Sequence, residues 1–265
     1  MNLKNLTNLI NDCSFIDAHT HSDHYQGENR TGMLKEVFEH RILTLSSATD
    51  PDSIQESFSL NRSCPWILTA AGIHPWKAGI YDLEDLESLE EVYKMAHQIS
   101  EIGMDSLWAP PEATWEKQSE LLEAQLKLAV KHNKPVTLHT KGAEDRILTL
   151  LKKWTPPSIL IHWFDGSDEQ LKAFQALGCF FTVSPVLLTE PVTNRIISQI
   201  PLNLLLAETD NPPAWHWLFD QPPRAIQIQD VLQAASRILD IPIGELHEAF
   251  KDNLKTFFKI PPVHC

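Results

Sequence analysis

Cysteine is scarce in this chain of 265 residues, with four in all, at positions 13, 64, 179 and 265. They form no CxxC pair and no cluster, which excludes a disulfide framework and a thiolate zinc site and points to reduced thiols in a cytoplasmic protein. Glycine is also scarce, at nine residues. No glycine-rich loop follows the first strand-like run, so the dinucleotide-binding fingerprint is missing. No stretch approaches the roughly 20 apolar residues that span a bilayer. The N-terminal MNLKNLTNLINDCSF lacks the apolar run and small-residue cleavage site of a signal peptide. Basic residues are outnumbered: 22 Lys and Arg against 35 Asp and Glu leave a formal charge of 22 − 35 = −13. A balance of that sign does not draw polyanions over a distance and argues against broad, charge-driven nucleic-acid binding.

What is present suits one large α/β domain. Hydrophobic residues make up 43% and charged residues 22%, an ordinary globular profile with ample material for a core. Eight short strand-like runs recur: 14–21, 41–47, 66–74, 98–105, 135–140, 158–164, 179–185 and 203–210. Between them lie runs such as ESLEEVYKMAHQI, SELLEAQLKLAVKHNK and EQLKAFQALG, with apolar residues at helical spacing. Leu3, Leu6 and Ile10 predict a short helix before the first strand. The segment 211–223 reads as a Pro/Trp-rich loop, followed by helices near 227–239 and 243–258. Alternating strand and helix calls for parallel strands with right-handed crossovers, and eight such units close a (β/α)8 TIM barrel. No linker or repeat marks a boundary, so a single domain over 1–265 is expected.

The metal-binding side chains fall at the C-terminal ends of these strands, where a barrel gathers its catalytic groups. His19 and His21 sit on the first, His74 follows the third, Glu101 lies in the fourth, His139 ends the fifth, His162 lies in the sixth and Asp210 ends the eighth. Strand side chains alternate, so Asp17, His19 and His21 share a face, and two imidazoles spaced i, i+2 can grip one ion with Asp17 in support. Four imidazoles and an aspartate overfill one tetrahedral ion. A carboxylate at Glu101 could bridge two ions about 3.5–4 Å apart, the spacing of two-metal hydrolysis. His40, His132, His216, His247 and His264 fall on helices and loops and read as surface or packing residues.

The same residues carry a resemblance. Asp17-His19-His21-Asp23 is DxHxHxD; Gly72-Ile73-His74-Pro75 is GxHP; Glu101-Ile102-Gly103-Met104-Asp105 matches EIGLD. Pro135-Val136-Thr137-Leu138-His139, His162-Trp163-Phe164-Asp165-Gly166 and Glu208-Thr209-Asp210-Asn211-Pro212 follow in order. The chain resembles the TatD family of metal-dependent hydrolases and deoxyribonucleases from about Phe15 to Phe257. The resemblance implies one divalent ion on His19, His21, Glu101 and Asp210 and a second on Glu101, His139 and His162, with Zn, Mn or Mg as the metal. It implies phosphodiester hydrolysis on a small phosphoester or a DNA end, without a membrane or an obligate protein partner. In that reading Asp210 is the general base, His74 the substrate-facing histidine, and Glu208 and Asp105 support the ligands. Lys141 stands where the family usually has Arg, so a phosphate contact there would be a point charge and not a fork. The segments SLWAPP after Asp105 and YQGENRTGM after the first strand also depart from the family pattern. An amide or lactone hydrolase of the same barrel group and a non-catalytic barrel scaffold are the alternative readings.

Overall fold

The computed structural model describes residues 3–189 and 195–261. His264 and Cys265 lie outside the described residues. Strands and helices alternate as β1 (Phe15–Thr20), β2 (Ile42–Ser46), β3 (Ile67–Leu68), β4 (Ala70–Ala71), β5 (Gln98–Gly103), β6 (Val136–His139), β7 (Ile159–Ile161), β8 (Phe180–Val183) and β9 (Leu205–Ala207). All eight expected strands are found, with the third in two pieces. The described residues pack as two compact units. Among the described residues one comprises 3–46, 60–68, 181–189 and 195–261, the other Ser47–Ser59 and Thr69–Phe180. The third strand breaks at Thr69, where the chain passes from one unit to the other: β3 pairs with β2, and β4 pairs with β5.

In the first unit β1 pairs parallel with β2 in the register Phe15↔Ile42, and β8 with β9 in the register Phe181↔Leu205. The chain beyond β9 is laced to β1 by Asp210 N–H to the His19 carbonyl (3.0 Å) and His21 N–H to the Asn211 carbonyl (2.7 Å). The helix Leu3–Asp12 forms as the spacing predicts and buries Leu6 and Ile10, while Leu3 stays exposed. Helix Ile228–Leu239 buries Ile228, Val231, Leu232 and Ala235, an i, i+3, i+4, i+7 stripe. Helix Ile243–Phe257 buries Leu246, Phe250, Leu254 and Phe257, each contributing about 1.5–3 kcal/mol of apolar burial. The expected loop 211–223 holds a short helix, Pro213–Phe219. Pro at its first turn pre-sets the helical φ, and the buried Trp215 packs on Phe219 with ring centroids 4.8 Å apart.

In the second unit β4, β5, β6 and β7 pair in order, all parallel. The run ESLEEVYKMAHQI breaks into two helices, Leu83–Ser88 and Glu90–Met95, because an Asp82/Asp85 capping box starts the first one early. Helix Trp115–Lys131 ends where Asn133 turns left-handed at φ 52° before Pro135. Two glutamines on its buried face, two turns apart, hold the backbone that carries the site. Gln125 Oε1 accepts from the Ile73 amide (2.8 Å) and the Tyr93 hydroxyl (2.7 Å), and its Nε2 donates to the Ile73 carbonyl (3.0 Å). Gln118 Oε1 accepts from the Asp105 amide (2.8 Å), and its Nε2 donates to the carbonyls of Asp105 (3.1 Å) and Ala113 (2.7 Å). Both side chains are buried, so the bonds they make are ones no water replaces.

Replacing Gln125 by Leu keeps the volume and removes all three partners at once. It is expected to cost about 2–4 kcal/mol in urea unfolding, since each orphaned buried polar group costs about 1–3 kcal/mol. A loss below about 1 kcal/mol would show that the clasp contributes little.

Candidate metal centre

Within the first unit the end of β1 and the segment after β9 build one cluster. Asp210 Oδ1 stands 3.5 Å from His19 Nε2 and 3.3 Å from His21 Nε2. Asp210 adopts a left-handed backbone, φ 49°, a conformation that Asp tolerates better than most residues. Burial works against its charge, but the two imidazoles outweigh burial and hold the carboxyl far below its ordinary range. Asp17 fastens the arrangement from behind. Its Oδ1 accepts the Thr209 amide (2.9 Å) and its Oδ2 accepts the Thr209 hydroxyl (2.6 Å), fixing the residue before Asp210. Burial pushes the Asp17 carboxyl up to about 7 in spite of those two bonds. Thr20 adds a hydroxyl bond to the Asn211 carbonyl (2.9 Å).

His24 escaped the sequence reading. It stacks on His21 with centroids 5.0 Å apart, sits 3.5 Å from Asp23 Oδ2, and offers a ligand atom beside those of His21 and Asp23. Its position directly after DxHxHxD was the only signal.

Within the second unit three imidazoles converge on one oxygen. Glu101 Oε1 lies 2.8 Å from His162 Nε2, 2.9 Å from His139 Nδ1 and 3.5 Å from His74 Nε2. His139 Nε2 points the other way, onto Asp105 Oδ2 at 2.9 Å. With that proton given to Asp105, a neutral His139 presents a lone pair to a carboxylate oxygen, a repulsion that a proton or a cation must relieve. Burial opposes a charged His139, yet Asp105 and Glu101 outweigh it and raise the pKa. Convergent imidazole and carboxylate donors in a buried pocket are what a divalent cation requires, so the donor set fits a metal ion.

Two glycines explain how the donors come so close. A Cβ on Gly103 would meet the His139 carbonyl oxygen at 1.9 Å, and a Cβ on Gly72 would meet the Ser100 carbonyl carbon at 2.6 Å and the Glu101 amide at 2.9 Å. Both motif glycines therefore let neighbouring backbones approach. Asp105 is the busiest acceptor. Oδ2 takes His139 Nε2 and the Trp76 indole N–H (2.7 Å), and Oδ1 takes the amides of Leu107 (2.7 Å) and Trp108 (2.8 Å). Burial disfavours its charge, but these donors outweigh burial and hold it well below the carboxylate range.

Lys141, the expected phosphate contact, has partners of its own within the protein. The side chain is buried, pairs with Asp165 Oδ2 at 2.9 Å, and donates to the Trp163 carbonyl. Trp163 has a left-handed φ of 42°, so Lys141 braces the turn that follows His162. Its partner Asp165 lies in another motif, and no local pattern joins the two.

A family model described as TatD related DNase matches residues 16–259. The metal-dependent hydrolase YjjV of Escherichia coli (strain K12) is 28% identical over 260 residues, covering 94% of this chain and 99% of its own. The 3'-5' ssDNA/RNA exonuclease TatD of Escherichia fergusonii is 29% identical over 175 residues, 63% of this chain and 66% of its own. The crystal structure of YjjV, a TatD homologue from Escherichia coli K12, superposes with a TM-score of 0.85, 28% identity and coverage of 94% of this chain and 99% of that one. With parallel strands and alternating helices, this likeness makes the fold α/β, of the (β/α)8 barrel class that the sequence predicts.

Two outcomes follow from this geometry. Asp105→Asn can donate to His139 Nε2 and turn the ring's proton towards Glu101, so divalent-metal affinity should fall about 10–100-fold with the fold intact. An unchanged metal Kd by calorimetry would remove Asp105 from that role. Lys141→Met should cost about 0.5–1.5 kcal/mol in stability by removing the pair with Asp165 and the bond to the Trp163 carbonyl, with KM for a short phosphodiester within about twofold if bracing is its only role. A large rise in KM with unaltered stability would return Lys141 to the phosphate.

Proposed function

This chain belongs to the TatD related DNase family, and on that premise we propose that it is a divalent-metal-dependent phosphodiesterase acting on a small phosphoester or a DNA end. The convergence of His139 and His162 on Glu101 Oε1 carries the metal requirement. The substrate class follows from relatives named as ssDNA/RNA exonucleases. The ligand set proposed is the one the family pattern implies: His19, His21, Glu101 and Asp210 for one ion, and Glu101, His139 and His162 for another, with Zn, Mn or Mg as the metal. The proposal treats residues 1–265 as one barrel domain, supported by a family match that takes in both compact units. A cytoplasmic setting is proposed too, supported by Cys13, Cys64 and Cys179, all buried as free thiols. Among the described residues no helix is long and apolar enough to cross a membrane.

Bound divalent ions polarise a phosphoryl oxygen and bring the pKa of water towards neutrality. The chain's own groups do the rest. Asp210, placed by His19, His21 and the Asp17–Thr209 bonds, would accept the proton of the attacking water. His74 takes the Trp76 amide on Nδ1 (3.2 Å), so its proton resides on Nε2, from which it donates to the phosphate as charge builds. Lys141 holds the turn after His162 in place. A net charge of −13 disfavours long-range attraction of a polyanion, which favours recognition of one or two phosphates over a long strand.

The amide and lactone hydrolases of this barrel group commonly bridge their metals with a carbamylated lysine at the fourth strand. Here the fourth barrel strand, β5, carries Glu101, and the nearest upstream lysine, Lys94, sits exposed on helix Glu90–Met95, paired with Glu91 at 3.2 Å. Metal-loaded protein assayed against phosphodiester, amide and lactone panels separates the readings. Phosphodiester turnover is expected, abolished by chelator and reduced more than about 100-fold in the His19→Ala/His21→Ala protein, beyond the upper end of what loss of a ligand's supporting partner costs. Turnover of amides or lactones alone would overturn the reading. So would no turnover by protein that takes up no metal, the behaviour of a scaffold.

A further inference from the structure

Trp76 follows His74 and Pro75 in the short turn Pro75–Lys77, and its ring is 40% exposed. It is not loose. The indole N–H donates to Asp105 Oδ2 at 2.7 Å, the same oxygen that receives His139 Nε2. The ring stands edge-on to His74 with centroids 5.1 Å apart, and edge-on to His139 at 6.3 Å. Trp215, by contrast, is enclosed at 4% exposure. Here an indole is pinned at its nitrogen by a buried carboxylate while its body stays in solvent, next to two site histidines. Asp105 Oδ1 also fixes the amides of Leu107 and Trp108, whose side chains are 58% and 56% exposed. One carboxylate thus orients a metal-ligand candidate and organises three exposed apolar side chains.

We propose that Trp76 is an aromatic subsite that stacks the base of the nucleotide whose phosphate meets His74, with Asp105 tying the platform to the site. The proposal rests on the phosphodiesterase reading above. One sugar separates a nucleotide's phosphate from its base, so a phosphate at His74 carries its base towards the exposed indole of Trp76, 5.1 Å from that histidine. A π-face accepts any of the four bases, which makes the subsite selective for nucleotides over plain phosphoesters and tolerant of sequence. It also supplies grip that the acidic surface cannot provide through the backbone. Trp76 takes no part in proton transfer. Its role is specificity.

The test uses metal-loaded protein and two substrates with the same phosphodiester, dithymidine monophosphate and its counterpart lacking both bases. Trp76→Leu removes the aromatic face. Trp76→Phe keeps a ring and loses only the bond to Asp105. For the base-bearing substrate, Trp76→Leu is expected to raise KM about 5- to 100-fold, the span that stacking one base provides, with kcat within about twofold. Trp76→Phe should stay within about threefold, and neither variant should change KM for the base-free substrate. Thymidine monophosphate should quench tryptophan emission in the wild type, and that component should vanish in Trp76→Phe while binding persists. Equal losses on both substrates, or no loss on either, would overturn the proposal. A change of oligomeric state in Trp76→Leu without a KM effect would overturn it too, by marking the ring as a protein contact. If wild-type protein cleaves no phosphodiester, the phosphodiesterase reading fails by itself. The quenching experiment then decides the subsite separately: no quenching by thymidine monophosphate rejects it.

Discussion

Three imidazole nitrogens crowd one buried carboxylate oxygen, and the second unit is built around that crowding. A lone pair of His139 aimed at Glu101 from 2.9 Å is unfavourable unless positive charge lies there. Such an arrangement persists only if its surroundings leave the groups no room to relax. Those surroundings are identifiable. Gly72 and Gly103 admit backbones that a methyl group would push apart. Gln125 clasps the residue before His74, and Gln118 clasps Asp105, which turns His139 so that Nδ1 and not Nε2 faces Glu101. Lys141 braces the left-handed turn after His162. Helix, strand ends and turns all exist at these points to hold four side chains in a geometry they would not choose alone.

The first unit solves the same problem with different chemistry. Asp210 sits between two imidazoles at 3.3 and 3.5 Å, and Asp17 secures it through both polar groups of Thr209. A carboxylate pushed up to about 7 by burial is a costly fastener. What it secures is the backbone register between β1 and the chain after β9, and with it the position of Asp210. Both units thus place a carboxylate behind the ligands as an orienting group, Asp17 through the backbone and Asp105 through a ring nitrogen.

Much of this was legible from the chain alone, because strand periodicity fixes which end of each run a side chain occupies. HxH on β1, GxHP, EIGMD and ETDNP announced their residues, and the structure gathers Glu101 with His74, His139 and His162 and gathers Asp210 with His19 and His21. What escaped reading depends on partners distant in sequence. Gln118 and Gln125 look like ordinary helix residues until the backbone 13 and 52 positions away is seen to need them. The Lys141–Asp165 pair joins two motifs that no local pattern links. The split of the third strand and the helix inside 211–223 were hidden for a related reason: both are set by what the chain packs against, and local pattern carries no trace of that.

The central claim is that the buried Glu101 cluster exists to hold divalent metal. Isothermal titration of Zn²⁺ or Mn²⁺ into chelator-stripped wild-type protein and the Glu101→Gln protein tests it most directly, since Gln keeps the shape and removes the charge. Two equivalents bound by the wild type, with tight binding lost in the variant while the fold is retained, is the predicted result. Equal binding by both proteins, or none by the wild type, would contradict the account.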